Sequence, residues 1–143
     1  PWATNDWLKD LMSSVRGWFL VLLPAFAWSA DFMSPGLAPT ELQEMLDSPG
    51  ALLVVDVRKP AEFGAAHVPG ATNIPLDEIE QRLDEFRSDN GVLIYCINGA
   101  RTRQAEPLLF SSGIENVYHL EGAFQGWIKE QLPIEKGGIE KSW

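Results

Sequence analysis

The chain has 143 residues, 45% hydrophobic and 22% charged, with a formal charge of −9; this suits one globular domain and excludes a wholly disordered chain. From Asp31 onward eighteen acids outnumber nine bases, which argues against nucleic-acid binding, since a phosphate backbone needs clustered Lys and Arg, and fits a solvated acidic surface. The single cysteine, Cys96, excludes an intrachain disulfide and a multi-cysteine zinc site by counting, and the two histidines, His67 and His119, are too few and scattered to indicate a metal.

Lys9 and Arg16 precede an uncharged run, Gly17 to Ala30, that Asp31 ends. As a helix these fourteen residues reach ~21 Å, short of a bilayer core about 30 Å thick. A basic flank, a short apolar stretch and small residues at its end (Ala25-Phe26-Ala27 and Ala27-Trp28-Ser29) predict a signal peptide or an uncleaved membrane anchor over residues 1–30. Trp2, Trp7, Trp18 and Trp28 fit membrane contact. The competing expectation is an amphipathic or buried helix packed on the domain. Either export expectation places the domain, residues 31–143, in the periplasm or outside the cell, where no second thiol can trap Cys96 within the chain.

Within the domain, Ser34-Pro35-Gly36 is expected as a loop. Thr40 is expected to cap a short helix through Met45 and Leu46, with Glu41 and Glu44 near its positive end. Ala51 to Val57 is an apolar, β-branched run, the pattern of a strand buried on both faces. Pro60 to His67 predicts a short helix with proline in its first turn, and Thr72 to Ile74 a brief strand. Ile79, Leu83 and Phe86 follow helical spacing between Asp77 and Phe86. Gly91 to Cys96 is the second buried strand, and a helix is expected from about Arg101 to Ser112, closed by Gly113. Asn116 to Leu120 is the third strand, followed by a last helix through Trp127 and Ile128; after about Pro133 the pattern fades into a polar tail. Strands alternating with helices predict an α/β fold with a central, mostly parallel sheet.

Cys96 ends a predicted central strand, and Ile97-Asn98-Gly99-Ala100-Arg101-Thr102 leads into a helix. In open α/β sheets ligands bind at this edge. A short turn through Gly99 lets successive N–H groups face inward beside a helix N-terminus, a nest that attracts an anion and lowers a thiol pKa. Arg101 adds a fixed charge with a planar donor fork. Four residues separate Cys96 from Arg101, whereas cysteine-dependent phosphatases use five. The smaller loop suits a single sulfur atom better than a phosphoryl group.

From about Leu52 to Pro133 the chain resembles the single-domain form of the rhodanese family. Three blocks carry the resemblance. The first is Asp56-Val57-Arg58 with Glu62-Phe63, then His67-Val68-Pro69-Gly70-Ala71, then Asn73-Ile74-Pro75. The second, Cys96 to Thr102, is similar to the family's C-x-x-G-x-R-[ST] loop; the third is Leu120-Glu121-Gly122-Ala123 with Trp127. Ala66 and Ala123 stand where glycine is common in the family.

The resemblance implies a three-layer α/β fold with a core over about residues 38–133, and sulfurtransferase chemistry. The Cys96 thiolate would attack the outer sulfur of a donor such as thiosulfate or a persulfide. The resulting persulfide would pass its sulfur to a thiol or to cyanide. The N–H groups of residues 97–101 (Ile97, Asn98, Gly99, Ala100, Arg101) would hold the anionic sulfur. Arg101 would recruit the donor or stiffen the loop by pairing with a carboxylate. Thr102 would donate a hydroxyl hydrogen bond or merely begin its helix. Asp56 and Arg58 would border the pocket or form a structural ion pair. Neither a metal nor an organic cofactor is implied. Glu62 and His67 are expected to be structural, His119 a satisfied core or edge residue, and Trp127 core packing. The alternative function is a non-catalytic rhodanese-like interaction module; a phosphatase or arsenate reductase is opposed by loop length. Sulfur transfer at Cys96 requires inward N–H groups and a sulfur open to solvent.

Overall fold

The computed structural model describes residues 32–138, so the predicted signal or anchor over residues 1–30 lies outside the described residues. The elements are β1 (Gly36–Leu37), α1 (Pro39–Leu46), β2 (Leu53–Asp56), α2 (Pro60–Ala65), β3 (Thr72–Asn73), two short 3-10 helices (Leu76–Gln81 and Leu83–Phe86), β4 (Val92–Tyr95), α3 (Ala100–Ser111), β5 (Val117–Leu120) and α4 (Ala123–Lys129). The strands form one sheet in the order β1-β5-β4-β2-β3, with every neighbouring pair parallel. The expected α/β fold is therefore present. Among the described residues no helix is long and apolar enough to cross a membrane.

Two apolar layers pack on the sheet, and the two-residue repeat of a strand sorts side chains between them. Val92, Ile94 and Cys96 share one face with Val55 and Val57, against Ile79 and Phe86 of the 3-10 helices and Ala105 and Leu109 of α3. Leu93 and Tyr95 share the other with Leu52 and Val54, against Leu42 of α1 and Phe124 and Trp127 of α4. With both faces covered, β4 is apolar at every position, which is why it reads as a continuous run. From β2 the sheet grows one way to β3 and the other way through β4 and β5 to β1. The crevice at that switch lies between the carboxyl ends of β2 and β4, where Arg58 and Cys96 emerge.

Four local expectations need correction. Gly36–Leu37, expected to lie in or beside a loop, is a strand paired with His119 and Leu120; two residues carry no periodicity to detect. Thr40 is not the cap of α1: Pro39 opens the helix, Ala38 precedes it, and the Glu41 carboxylate accepts the Ala38 N–H at 3.0 Å. The segment after Asn73 forms two 3-10 helices rather than one α-helix. Leu76 and Ile79, then Leu83 and Phe86, are three residues apart, and three residues per turn aligns each pair on the core side. The polar tail is partly ordered. Glu135 exchanges backbone hydrogen bonds with His67 at 2.9 Å each way, and Trp127 Nε1 donates to the Pro133 carbonyl at 2.8 Å.

Candidate active site

The loop after β4 owes its shape to α4. Two N–H groups in the first turn of α4, those of Phe124 and Gln125, have no carbonyl within their own helix. They donate instead to the carbonyls of Cys96 and Ile97, at 2.9 and 3.2 Å. A peptide plane carries its C=O and N–H on opposite sides. Drawing the Ile97 carbonyl toward α4 therefore turns the Asn98 N–H toward the sulfur. Gly99 completes the turn at φ +92°, a left-handed conformation that disfavours side chains, and its N–H donates to Cys96 Sγ at 3.0 Å.

The Gly99 N–H is the donor hydrogen-bonded to the sulfur, and the N–H groups of Asn98 and Thr102 lie near enough to favour its charged form. The Thr102 hydroxyl is buried and makes no hydrogen bond of good geometry, yet it is close enough to the sulfur to favour the thiolate. Burial raises the thiol pKa most, but the Thr102 hydroxyl and the three N–H groups together outweigh it and hold the thiol below its ordinary value. Of the five N–H groups expected to hold the sulfur, that of Gly99 is hydrogen-bonded to it. The Ala100 N–H goes to Asn98 Oδ1 at 3.1 Å instead, an Asx turn that opens α3.

One requirement is not met. Cys96 is 0% exposed, so the sulfur is closed off from solvent rather than open at a pocket mouth. It points to the α3 face of the sheet, inside the apolar layer with Val57 and Ala105, and the loop folds back over it.

Two arginine–carboxylate pairs stand beside the loop. Asp56 is 0% exposed, and Arg58 Nε meets both of its oxygens at 3.0 Å while Nη2 meets Oδ2 at 2.6 Å. Arg58 also donates to the Ala66 carbonyl at 2.7 Å and lies 4.3 Å from the centroid of the Phe124 ring. Of the two roles expected for Asp56 and Arg58, the geometry displays the ion pair, with the Asp56 oxygens turned inward to Arg58. Arg101 grips Glu62 with both terminal nitrogens, at 2.7 and 2.9 Å. Those hydrogen bonds hold the Glu62 carboxyl down to about 2. Of the two roles expected for Arg101, the geometry displays the pairing with a carboxylate. Outside the loop, a cleft of ≈ 490 Å³ is lined by Arg58, Glu62, Ala65, Ile97, Phe124 and Ile128, among others.

The remaining expectations divide. His67 Nδ1 lies 2.8 Å from the Phe63 carbonyl and the imidazole stacks on the Phe63 ring at 3.7 Å, a turn-holding role away from the sulfur. Trp127 is wholly buried. Phe32, Ser34 and Glu106, which the motif blocks do not include, meet against the loop and α3. Only the oddity of an acid at a buried helical position, in step with Ala105 and Leu109, marked Glu106 in the sequence. Among the described residues no cluster of His, Cys, Asp and Glu is arranged to hold a metal ion.

Residues 38–130 match the rhodanese-like domain family. An uncharacterized protein of Bacillus subtilis, YqhL, is 42% identical over 74 residues, 52% of this chain and 59% of its own length; the match thus spans under two thirds of that relative. The thiosulfate sulfurtransferase GlpE of Glaesserella parasuis is 33% identical over 101 residues, 71% of this chain and 93% of that protein. The crystal structure of a rhodanese-related protein of Thermoplasma volcanium superposes with a TM-score of 0.63 at 28% identity, over 71% of this chain and 97% of that one.

Proposed function

The chain belongs to the rhodanese-like family, and from that membership and the Cys96 loop we propose that it is a sulfurtransferase working through a Cys96 persulfide. The observation that carries the proposal is the Gly99 N–H donating to Cys96 Sγ at 3.0 Å, within a ring of loop groups (the Asn98 and Thr102 N–H groups and the Thr102 hydroxyl) that holds the thiol below its ordinary value. Such a ring favours negative charge on the thiolate before reaction and on the outer sulfur afterwards. The thiolate attacks the sulfane sulfur of the donor. A new S–S bond forms at Sγ, the donor's own bond to that sulfur breaks, and the electron pair leaves with sulfite (from thiosulfate) or with a thiolate (from a persulfide). An acceptor thiol or cyanide then attacks the outer sulfur, and the Cys96 thiolate is released. Arg101, held by Glu62, acts by stiffening the loop.

Because Cys96 is 0% exposed, transfer requires the loop to open a path to the sulfur. The same burial favours the second reading, an interaction module that binds a partner and transfers nothing. One measurement separates them. Protein incubated with thiosulfate or a small-molecule persulfide is weighed by mass spectrometry. A gain of one sulfur atom that cyanide removes, absent in Cys96→Ser, is the expected result; no gain with any sulfane donor defeats the sulfurtransferase reading.

We place the domain outside the cytoplasm, in the periplasm or beyond the cell. The support is the charge and length pattern of residues 1–30, read as a signal or membrane anchor. Protease shaving of intact cells and spheroplasts tests this; resistance until the cytoplasm is opened would sink it.

A further inference from the structure

Phe32 lies at the start of the described residues, against the outer side of the Cys96 loop. Its ring stacks on His119 of β5 with centroids 3.8 Å apart and planes 14° from parallel. The Arg103 guanidinium of α3 lies 5.0 Å from the ring centroid. The ring tip sits on Gly99. A Cβ built on Gly99 would meet Phe32 Cζ at 2.8 Å, a distance real Cβ atoms do not tolerate. Glycine at position 99 thus suits φ +92°, and a side chain there would have to displace the ring.

The two residues after Phe32 are tied to the helix that the loop opens. The Met33 N–H donates to Glu106 Oε2 at 2.8 Å, and the Ser34 hydroxyl donates to Glu106 Oε1. With its hydrogen given to Glu106, the Ser34 oxygen accepts from His119 Nδ1 at 3.1 Å. Glu106 is 1% exposed and Ser34 is 5% exposed. A buried carboxylate without partners is heavily penalised, so Glu106 binds residues 33–34 to α3 strongly.

We propose that Phe32, anchored through Met33, Ser34 and Glu106, is a positioning residue for the Cys96 loop, a role whose use in catalysis, though not its geometry, rests on the sulfur-transfer reading. Gly99 is the most freely rotating residue of the loop and the one whose N–H lies 3.0 Å from the sulfur. The Phe32 ring presses on it from outside while the sulfur accepts from it inside. Without the ring, Gly99 regains other backbone conformations, and its N–H leaves the sulfur for part of the time. The ring is held between β5 and α3 and therefore transmits their separation to the loop.

The test uses the full chain and the ultraviolet absorbance of the thiolate as pH is raised, with Cys96→Ser as the blank, so no sulfur donor is needed. Phe32→Ala is expected to move the thiolate midpoint upward by about one pH unit, a tenfold loss of thiolate below the midpoint. Glu106→Gln, which keeps the ring and weakens its anchor, is expected to shift in the same direction by less. Where Phe32→Ala does not fold, Phe32→Leu keeps apolar bulk without the stack and is held to the same criterion. A folded variant lacking the ring but titrating like wild type overturns the inference. Wild type that fails to load sulfur while the midpoints shift as stated would defeat the sulfurtransferase reading and leave the positioning role standing.

Discussion

The two ion pairs beside the Cys96 loop use the same chemistry and differ in burial. Asp56–Arg58 has side-chain exposures of 0% and 4%, whereas Glu62–Arg101 has 36% and 26%. The buried arginine is also bonded to the Ala66 carbonyl and packed over Phe124, so it joins β2 to the segment after α2 and to α4. The half-buried arginine, Arg101, joins the loop to α2. Low dielectric makes a buried pair costly to break but not necessarily stabilising as a whole; water reaches and screens the half-buried pair and leaves it mainly a geometric restraint.

Removing half of each pair should expose this difference. Asp56→Ala leaves the Arg58 guanidinium buried beside Tyr95 without its counter-ion, and is expected to cost ~3–5 kcal/mol in urea unfolding. In a domain of total stability about 5–15 kcal/mol that is a severe loss. Replacing both partners with apolar residues, Asp56→Leu with Arg58→Met, should recover much of it; no recovery would show that the contact to the Ala66 carbonyl, not the uncompensated charge, dominates. Arg101→Ala is expected to cost under ~1 kcal/mol in stability, while slowing sulfur loading by about tenfold through a looser loop. Equal stability losses for Asp56→Ala and Arg101→Ala would erase the contrast.

A smaller effect lies beneath the buried pair. Ala123 opens α4 at φ +54°, in the left-handed region that disfavours a Cβ. Ala123→Gly is expected to stabilise the domain by ~0.5–1 kcal/mol, read as a rise in Tm. A fall would mean that the buried methyl contributes more than the strain costs.

The smallest effect concerns pH. The Glu62 carboxyl is held from its ordinary 4.5 down to about 2, first by its hydrogen bonds with Arg101. The unfolded chain therefore binds this proton more readily than the folded one, and stability rises with pH across that window. The contribution is complete above about pH 4.5 and is lost as pH falls toward about 2. Glu62→Gln should flatten that part of the acid-unfolding curve; an unchanged slope would assign the acid sensitivity to other carboxylates.

The two sides of the loop were unequally visible in the sequence. Asp56, Arg58, Cys96, Gly99, Arg101 and Thr102 all fall within short motifs, because they sit at the carboxyl ends of adjacent strands or in the turn and helix start that follow. Phe32, Ser34 and Glu106 escaped, because Met33 and Ser34 reach Glu106 across 73 and 72 positions of chain and Phe32 meets the equally remote Gly99 and His119. Asn98 was expected to hold the sulfur with its N–H but not to claim the Ala100 N–H with its side chain. That choice depends on a rotamer, which no spacing encodes.

The order of apolar runs and glycine turns by itself determined that β2, β4 and β5 form a parallel sheet with Cys96 at its carboxyl edge, since burial on both faces imposes a pattern that local chemistry displays. Packing alone decided three things: that the last helix draws the loop's carbonyls aside, that Asp56 faces inward to Arg58, and that the sulfur is closed from solvent. Each depends on which distant surface meets the loop, and burial and hydrogen-bond direction exist only once those surfaces are in contact.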